Sequence, residues 1–261
     1  MEPIPATPEP QAAEPAAPAT SLTGKLMNVF AAPGEVFGEV KTASARAANW
    51  LVPVVIFAVV GVVTVCVLFA QPAIRQTIHD QQVKVLDQRV QQGTMTQTQE
   101  DQALQVMDKF MGPTMLTVFG SVAVVLNSVV SVFWWALILW LCGRWCLKAR
   151  FEYMKAVEVA GLATIILVLG LILSTSVAVI LGRLYAGPSL GMLVSDFDPT
   201  KRAHLLLGAA NIIYFWHTAV LGLGLAKLSG ASTAKALMFV FIYWILAELI
   251  LIAVGLGQWT L

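Results

Sequence analysis

The sequence predicts an all-α fold: an integral membrane bundle of five transmembrane helices, with an extracytoplasmic helical hairpin between the first two spans. Three observations predict it. Five runs, at about 50–70, 115–141, 156–182, 205–226 and 236–256, are strongly apolar, and each reaches the ~20 residues that a spanning helix needs. Hydrophobic residues make up 58% of the 261 residues and charged ones 12%, about half the charge of a soluble domain. Backbone in lipid must satisfy its own hydrogen bonds, so apolar runs of this length become helices.

The elements follow in chain order. Residues 1–21 are rich in Pro, Ala and Glu and have neither a basic nor an apolar signal region. They read as a disordered cytoplasmic tail, and the first span serves as its own insertion signal. Residues 22–48 form an amphipathic interfacial segment broken near Pro33. Leu26, Val29 and Phe30 share one apolar face, and Val36, Phe37 and Val40 share another, so the segment lies on the inner membrane surface or covers the bundle from below.

The membrane domain occupies 49–257, and its one sizeable polar insertion is the hairpin at 71–112. Ile74, Ile78, Val83, Leu86 and Val90 mark its first helix, and Leu104, Met107 and Met111 its second. Thr98, followed three residues later by Asp101, serves as the start signal of the second helix. The hairpin is too small for an independent catalytic domain. In the connection from Tyr185 to His204, Asp196 and Asp198 suggest calcium, but a calcium loop needs about six oxygen ligands in defined order. An aspartate capping a turn is the expected arrangement. The link from Ser229 to Thr233 is short, which makes the last two spans antiparallel neighbours.

Charge sets the orientation. With the N-terminus inside, the inner segments carry nine Lys and Arg and the outer ones seven. Arg144, Lys148, Arg150 and Lys155 crowd one short inner connection, beside Trp140 and Trp145 as an interfacial belt requires. The N-terminus is therefore placed in the cytoplasm and the C-terminus outside, in the cytoplasmic membrane if the cell is bacterial.

Several chemistries are excluded. A net charge of +1 with scattered bases does not suit nucleic acid. Cys66, Cys142 and Cys146 have neither redox nor zinc spacing and read as small buried side chains. No GxSxG elbow, HExxH pair or phosphate-cradling loop occurs, so the reading assigns no catalytic, metal or cofactor site. Ser174, Thr175 and Ser176 are expected to bond back to helix carbonyls.

One intramembrane ionisable residue stands out, Glu248, since a charge at the bilayer centre costs roughly 2.5 to 3.5 kcal/mol. Asn127, Asn211, Tyr214 and His217 fall at similar depths and complete a candidate polar cluster. On a helical wheel Gly208, Asn211, Tyr214, His217, Thr218 and Gly222 share one half, which predicts a protein-facing side. Ile212, Ile213, Trp216, Ala219, Val220 and Leu223 predict a lipid-facing one. Interhelical hydrogen bonding is the structural use of such a cluster; a proton relay or polar substrate pocket is the functional one.

The layout also carries a resemblance. An inner amphipathic segment around Ala31-Ala32-Pro33 leads to a span opening with Trp50 and Pro53. Four more spans follow, the last pair containing Phe215-Trp216, Leu221-Gly222-Leu223, Lys235-Ala236 and Trp244. Over about Leu22 to Leu256 this resembles the Ypt-interacting-protein (Yip) domain family, particularly its prokaryotic members. The resemblance implies a five-helix membrane protein with a cytosolic N-terminus. Its eukaryotic relatives act in vesicle traffic and contact prenylated small GTPases. The aspartate-leucine-tyrosine-glycine-proline motif of those relatives is absent, Leu184 to Pro188 being only an echo, and no functional residue is carried over.

The function expected is non-enzymatic membrane organisation or partner recruitment. The partners expected are the lipid bilayer, proteins at the cytoplasmic face and, in a homo-oligomer, further copies of the chain. The alternative is a small transporter or channel component using Asn211, His217 and Glu248.

Overall fold

The computed structural model describes residues 20–110 and 112–257. The tail at 1–19 and Met111, both given roles above, lie outside them. The described residues are helical, with one isolated antiparallel bridge between Ser189 and Asn211.

Two short helices come first. Helix α1 (Leu22–Ala31) starts at Ser21, whose side chain accepts from the Gly24 N–H, a standard N-cap. Ala32 leaves helical geometry, and Pro33 opens α2 (Pro33–Thr42), because proline suits the first helical position and cannot continue the preceding helix. Val29, Val36, Phe37 and Val40 are buried in the main core, with Leu26 and Phe30 packed beside it. The apolar faces of both helices thus lie against the bundle.

Among the described residues five helices are long and apolar enough to cross a membrane: α3 (Ala48–Ala70), α6 (Pro113–Leu141), α7 (Tyr153–Leu181), α9 (Ile212–Ser229) and α10 (Thr233–Ala253). Between the first two stand α4 (Pro72–Gln91) and α5 (Gln97–Phe110), which pack on each other as a hairpin. The start signal of α5 is Thr96, not Thr98. The Gln99 N–H donates to the Thr96 hydroxyl at 3.3 Å, and the Thr96 N–H to the Gln99 side chain at 3.0 Å. This reciprocal capping box satisfies two helix-end donors at once.

Helix α7 is the central strut. Every residue from Lys155 to Thr164 is buried, and α3, α6 and α9 all pack on it, α3 most extensively. Gly161 permits that closeness, since a Cβ there would collide with Trp50 of α3. Farther along, the Thr64 and Thr175 hydroxyls meet at 3.0 Å. Thr175 and Ser176 bond back to the carbonyls of Leu171 and Ile172, at 2.6 and 2.8 Å.

Helix α6 ends in a π-helical turn, Cys142–Cys146, where the Arg144 guanidinium lies 5.4 Å from the Trp140 ring centroid. Cys66 and Cys146 are exposed and Cys142 half-buried, which corrects their expected burial. A thiol is apolar enough to face hydrocarbon as readily as a protein core.

The fourth apolar run is not one helix. It divides into α8 (Arg202–Ala209) and α9, with an extended Asn211 between them at φ −106 and ψ 124. The Asn211 side chain accepts from the Ile213 N–H at 2.9 Å, and the Ile212 N–H donates to the Pro188 carbonyl. Asparagine competes for local backbone groups in this way and therefore starts a helix here. The predicted lipid side of α9 also needs correction, because Ile213 and Val220 are buried. Helices α2, α7 and α10 all pack on α9, leaving it little free circumference.

Candidate functional site

Two polar groupings lie inside the bundle. The first contains part of the expected cluster. Tyr214 of α9 is within electrostatic reach of Glu248 on α10. His217 is buried, and its ring lies 5.7 Å from Trp135 of α6, which lies another 5.7 Å from Tyr243 of α10. The Trp134 indole N–H donates to the Tyr243 hydroxyl at 2.8 Å. Asn211 is diverted to capping, and Asn127 is exposed on α6. The five residues are thus not one constellation: Tyr214 lies within electrostatic reach of Glu248, His217 faces the Trp135 ring, and the two asparagines stand elsewhere.

The second grouping was missing from the reading of the sequence. Glu158 is only 1% exposed. Its carboxylate faces the Lys155 ammonium at 3.5 Å and accepts from the Asn49 side-chain amide at 3.2 Å and from the Arg46 backbone N–H. Lys155 in turn donates to the carbonyls of Val40, at 2.8 Å, and Ala43. Those carbonyls belong to the C-terminal end of α2, where helix carbonyls lack partners and the dipole is negative. The Arg46 N–H and Asn49 lie at the start of α3, the positive end of a helix. Each charge of the pair is therefore matched to the helix end that favours it.

The sequence did hold a signal for this pair. Lys155 and Glu158 stand three apart at the mouth of an apolar run, one helical turn from each other. Lys155 also counts among the bases of the inner connection, which masks its pairing with Glu158.

A smaller pair joins α1 to α2. Lys25, itself 3% exposed, lies 3.4 Å from Glu39, which also accepts from the Thr20 hydroxyl. The Thr20 bond holds Glu39 below the ordinary carboxylate range; partial desolvation opposes it and Lys25 reinforces it. Together the two pairs fasten the N-terminal helices to each other and to the membrane bundle.

Among the described residues no group of three or more His, Cys, Asp or Glu side chains is placed to hold a metal ion. Lys155 and Glu158 are both buried on α7, and their partners lie at the ends of α2 and α3, so the pair ties three helices together.

None of the curated proteins and none of the solved structures compared matches the chain. The Yip1 domain does, over residues 27–255. That span begins inside α1 and ends just beyond α10, so it takes in the clasped N-terminal helices together with all five apolar spans. The chain is a member of the Yip1 domain family of multi-span membrane proteins.

Proposed function

We propose that this protein is a non-enzymatic organiser of the membrane that recruits protein partners through the α1–α2 layer, and that this layer faces the cytoplasm. The observation that carries the proposal is the clasp. Lys155 and Glu158 spend a buried ion pair, which is seldom a net source of stability, on fixing two short helices against α7. The outward side of those helices then presents Thr23, Met27, Asn28, Ala31 and Glu35, all exposed, on a rigid base. The dense basic connection after α6 supports the cytoplasmic placement.

Cysteine accessibility tests the orientation. In a background with Cys66, Cys142 and Cys146 replaced by alanine, a membrane-impermeant maleimide should label Thr94→Cys in sealed cells and Thr23→Cys only after permeabilisation. The reverse pattern would overturn the placement. Photo-cross-linking from Met27 tests recruitment: discrete protein adducts are expected there, and adducts formed equally well from Val106 of the hairpin would contradict it.

The placement of Glu248 within electrostatic reach of Tyr214 favours a second reading, a small transporter or channel component. Proton flux into proteoliposomes decides between them. A leak that depends on Glu248 would establish the transporter, whereas an organiser shows none.

A further inference from the structure

On the hairpin side of the bundle, α4 and the connection that follows α7 enclose a cavity of about 920 Å³. Side chains bind its two walls together. Lys84 of α4 pairs with Asp198, the Tyr185 hydroxyl donates to Gln81 at 3.1 Å, and the Tyr185 ring lies tilted against Phe197 with centroids 5.0 Å apart.

The cavity has a definite electrical sign. Lys84, Arg89, Arg183 and Lys201 line it against Asp196 and Asp198. Asp198 is taken up by Lys84, and Arg183 donates to the Val194 carbonyl. Arg89 and Lys201 are exposed and belong to no ion pair among the described residues. A surplus of positive charge therefore rims a space whose remaining lining includes Ile78, Val85, Leu86 and Met107.

A second space lies in the spans beneath. Helices α3 and α7 border an apolar groove of about 550 Å³, lined by Val63, Val67, Thr175 and Val179 among others. Its two walls run on in sequence into the walls of the cavity, α3 into α4 across Gln71 and α7 into Arg183 across Gly182. A soluble anion has no use for the groove, and an uncharged lipid has none for the cationic rim. An anionic lipid uses both.

We propose that the cavity holds the phosphate headgroup of an anionic phospholipid from the hairpin-side leaflet, with an acyl chain lying along the α3–α7 groove. Arg89 and Lys201 supply the charge that selects it, and Tyr185 and Lys84 keep the walls in place.

The test uses the full-length protein in detergent, with retained lipid counted by native mass spectrometry. Phosphatidylglycerol and phosphatidylcholine with identical acyl chains are compared, together with inorganic phosphate as competitor. Phosphatidylglycerol should bind in preference and resist displacement by millimolar phosphate. The double variant Arg89→Gln with Lys201→Gln should weaken its binding roughly thirtyfold, since each basic residue near an anionic headgroup contributes a factor of about five. Arg89→Lys should keep the preference. Because both side chains are exposed, unchanged thermal unfolding without lipid will show that the double variant folds. Equal retention of the two lipids, equal binding by the double variant, or complete displacement by inorganic phosphate would each overturn the proposal.

Discussion

Lys155 and Glu158 stand one helical turn apart on α7, 3.5 Å from each other, and between them they hold the end of α2 and the beginning of α3. Neither charge is free to reach water. Removing one partner strands the other in a buried site, which costs about 3 to 5 kcal/mol. Glu158→Ala should lower unfolding stability in detergent by that amount. The double variant Lys155→Met with Glu158→Leu should recover most of it, because volume is kept and no charge remains. A single variant as stable as the parent would show that the pair is idle.

Close approach of α7 to α3 depends on Gly161. A methyl group there meets the Trp50 backbone, which side-chain rotation cannot relieve. Gly161→Ala should destabilise by about 1 to 3 kcal/mol, whereas Gly38→Ala, where a Cβ meets nothing within 4 Å, should not. Equal effects in thermal melts of the two variants would contradict the packing described.

Docking of the hairpin has a pH dependence that follows from Asp198. Desolvation raises this carboxyl, but Lys84 and Thr200 outweigh it and hold it at about 2, below the ordinary 3.8. A depressed folded-state value means that its contribution is complete above about pH 4 and is lost as the pH falls through about 2. Spin labels at the exposed Gln92 and Leu193 should keep a narrow distance distribution down to about pH 4 and broaden below it. In Lys84→Gln the broadening should begin at higher pH. Broadening already at pH 6 in the parent would sink this assignment.

Glu248 of α10 lies within electrostatic reach of Tyr214 of α9, and interhelical hydrogen bonding is the structural use of such polar side chains. Glu248→Gln keeps shape and hydrogen-bonding capacity, so stability should change by less than about 0.5 kcal/mol. A collapse of thermal stability in that variant would contradict a purely hydrogen-bonding role for this side chain.

Much of the fold was legible because hydropathy reports the solvent around a helix, and five long apolar runs leave few alternatives. Proline at 33 and the back-bonding hydroxyls at 175 and 176 were legible for local reasons, since each effect acts within one turn of its own residue. What hydropathy does not report is which side of a membrane helix faces protein. Lipid and core are equally apolar, so α7, enclosed over its first three turns, looks in sequence like its lipid-exposed neighbours. Ile213 and Val220 were assigned to lipid, and Cys66 to the core, for that reason. Asn211 was misplaced because depth was counted along an unbroken helix, when its own side chain breaks it. Glu158 was overlooked because it lies at the edge of a run, where charge is commonplace; its burial comes from α2 and the start of α3, which are distant in sequence.

The clasp is tested most directly by hydrogen exchange, followed residue by residue, in Glu158→Gln, which keeps volume and removes the charge. Residues 20–46 should exchange at least tenfold faster than in the parent, while α4 and α5 on the opposite side keep their rates. A uniform acceleration across the molecule, or none within α1 and α2, would contradict the claim that this buried pair fastens the N-terminal helices to the membrane bundle.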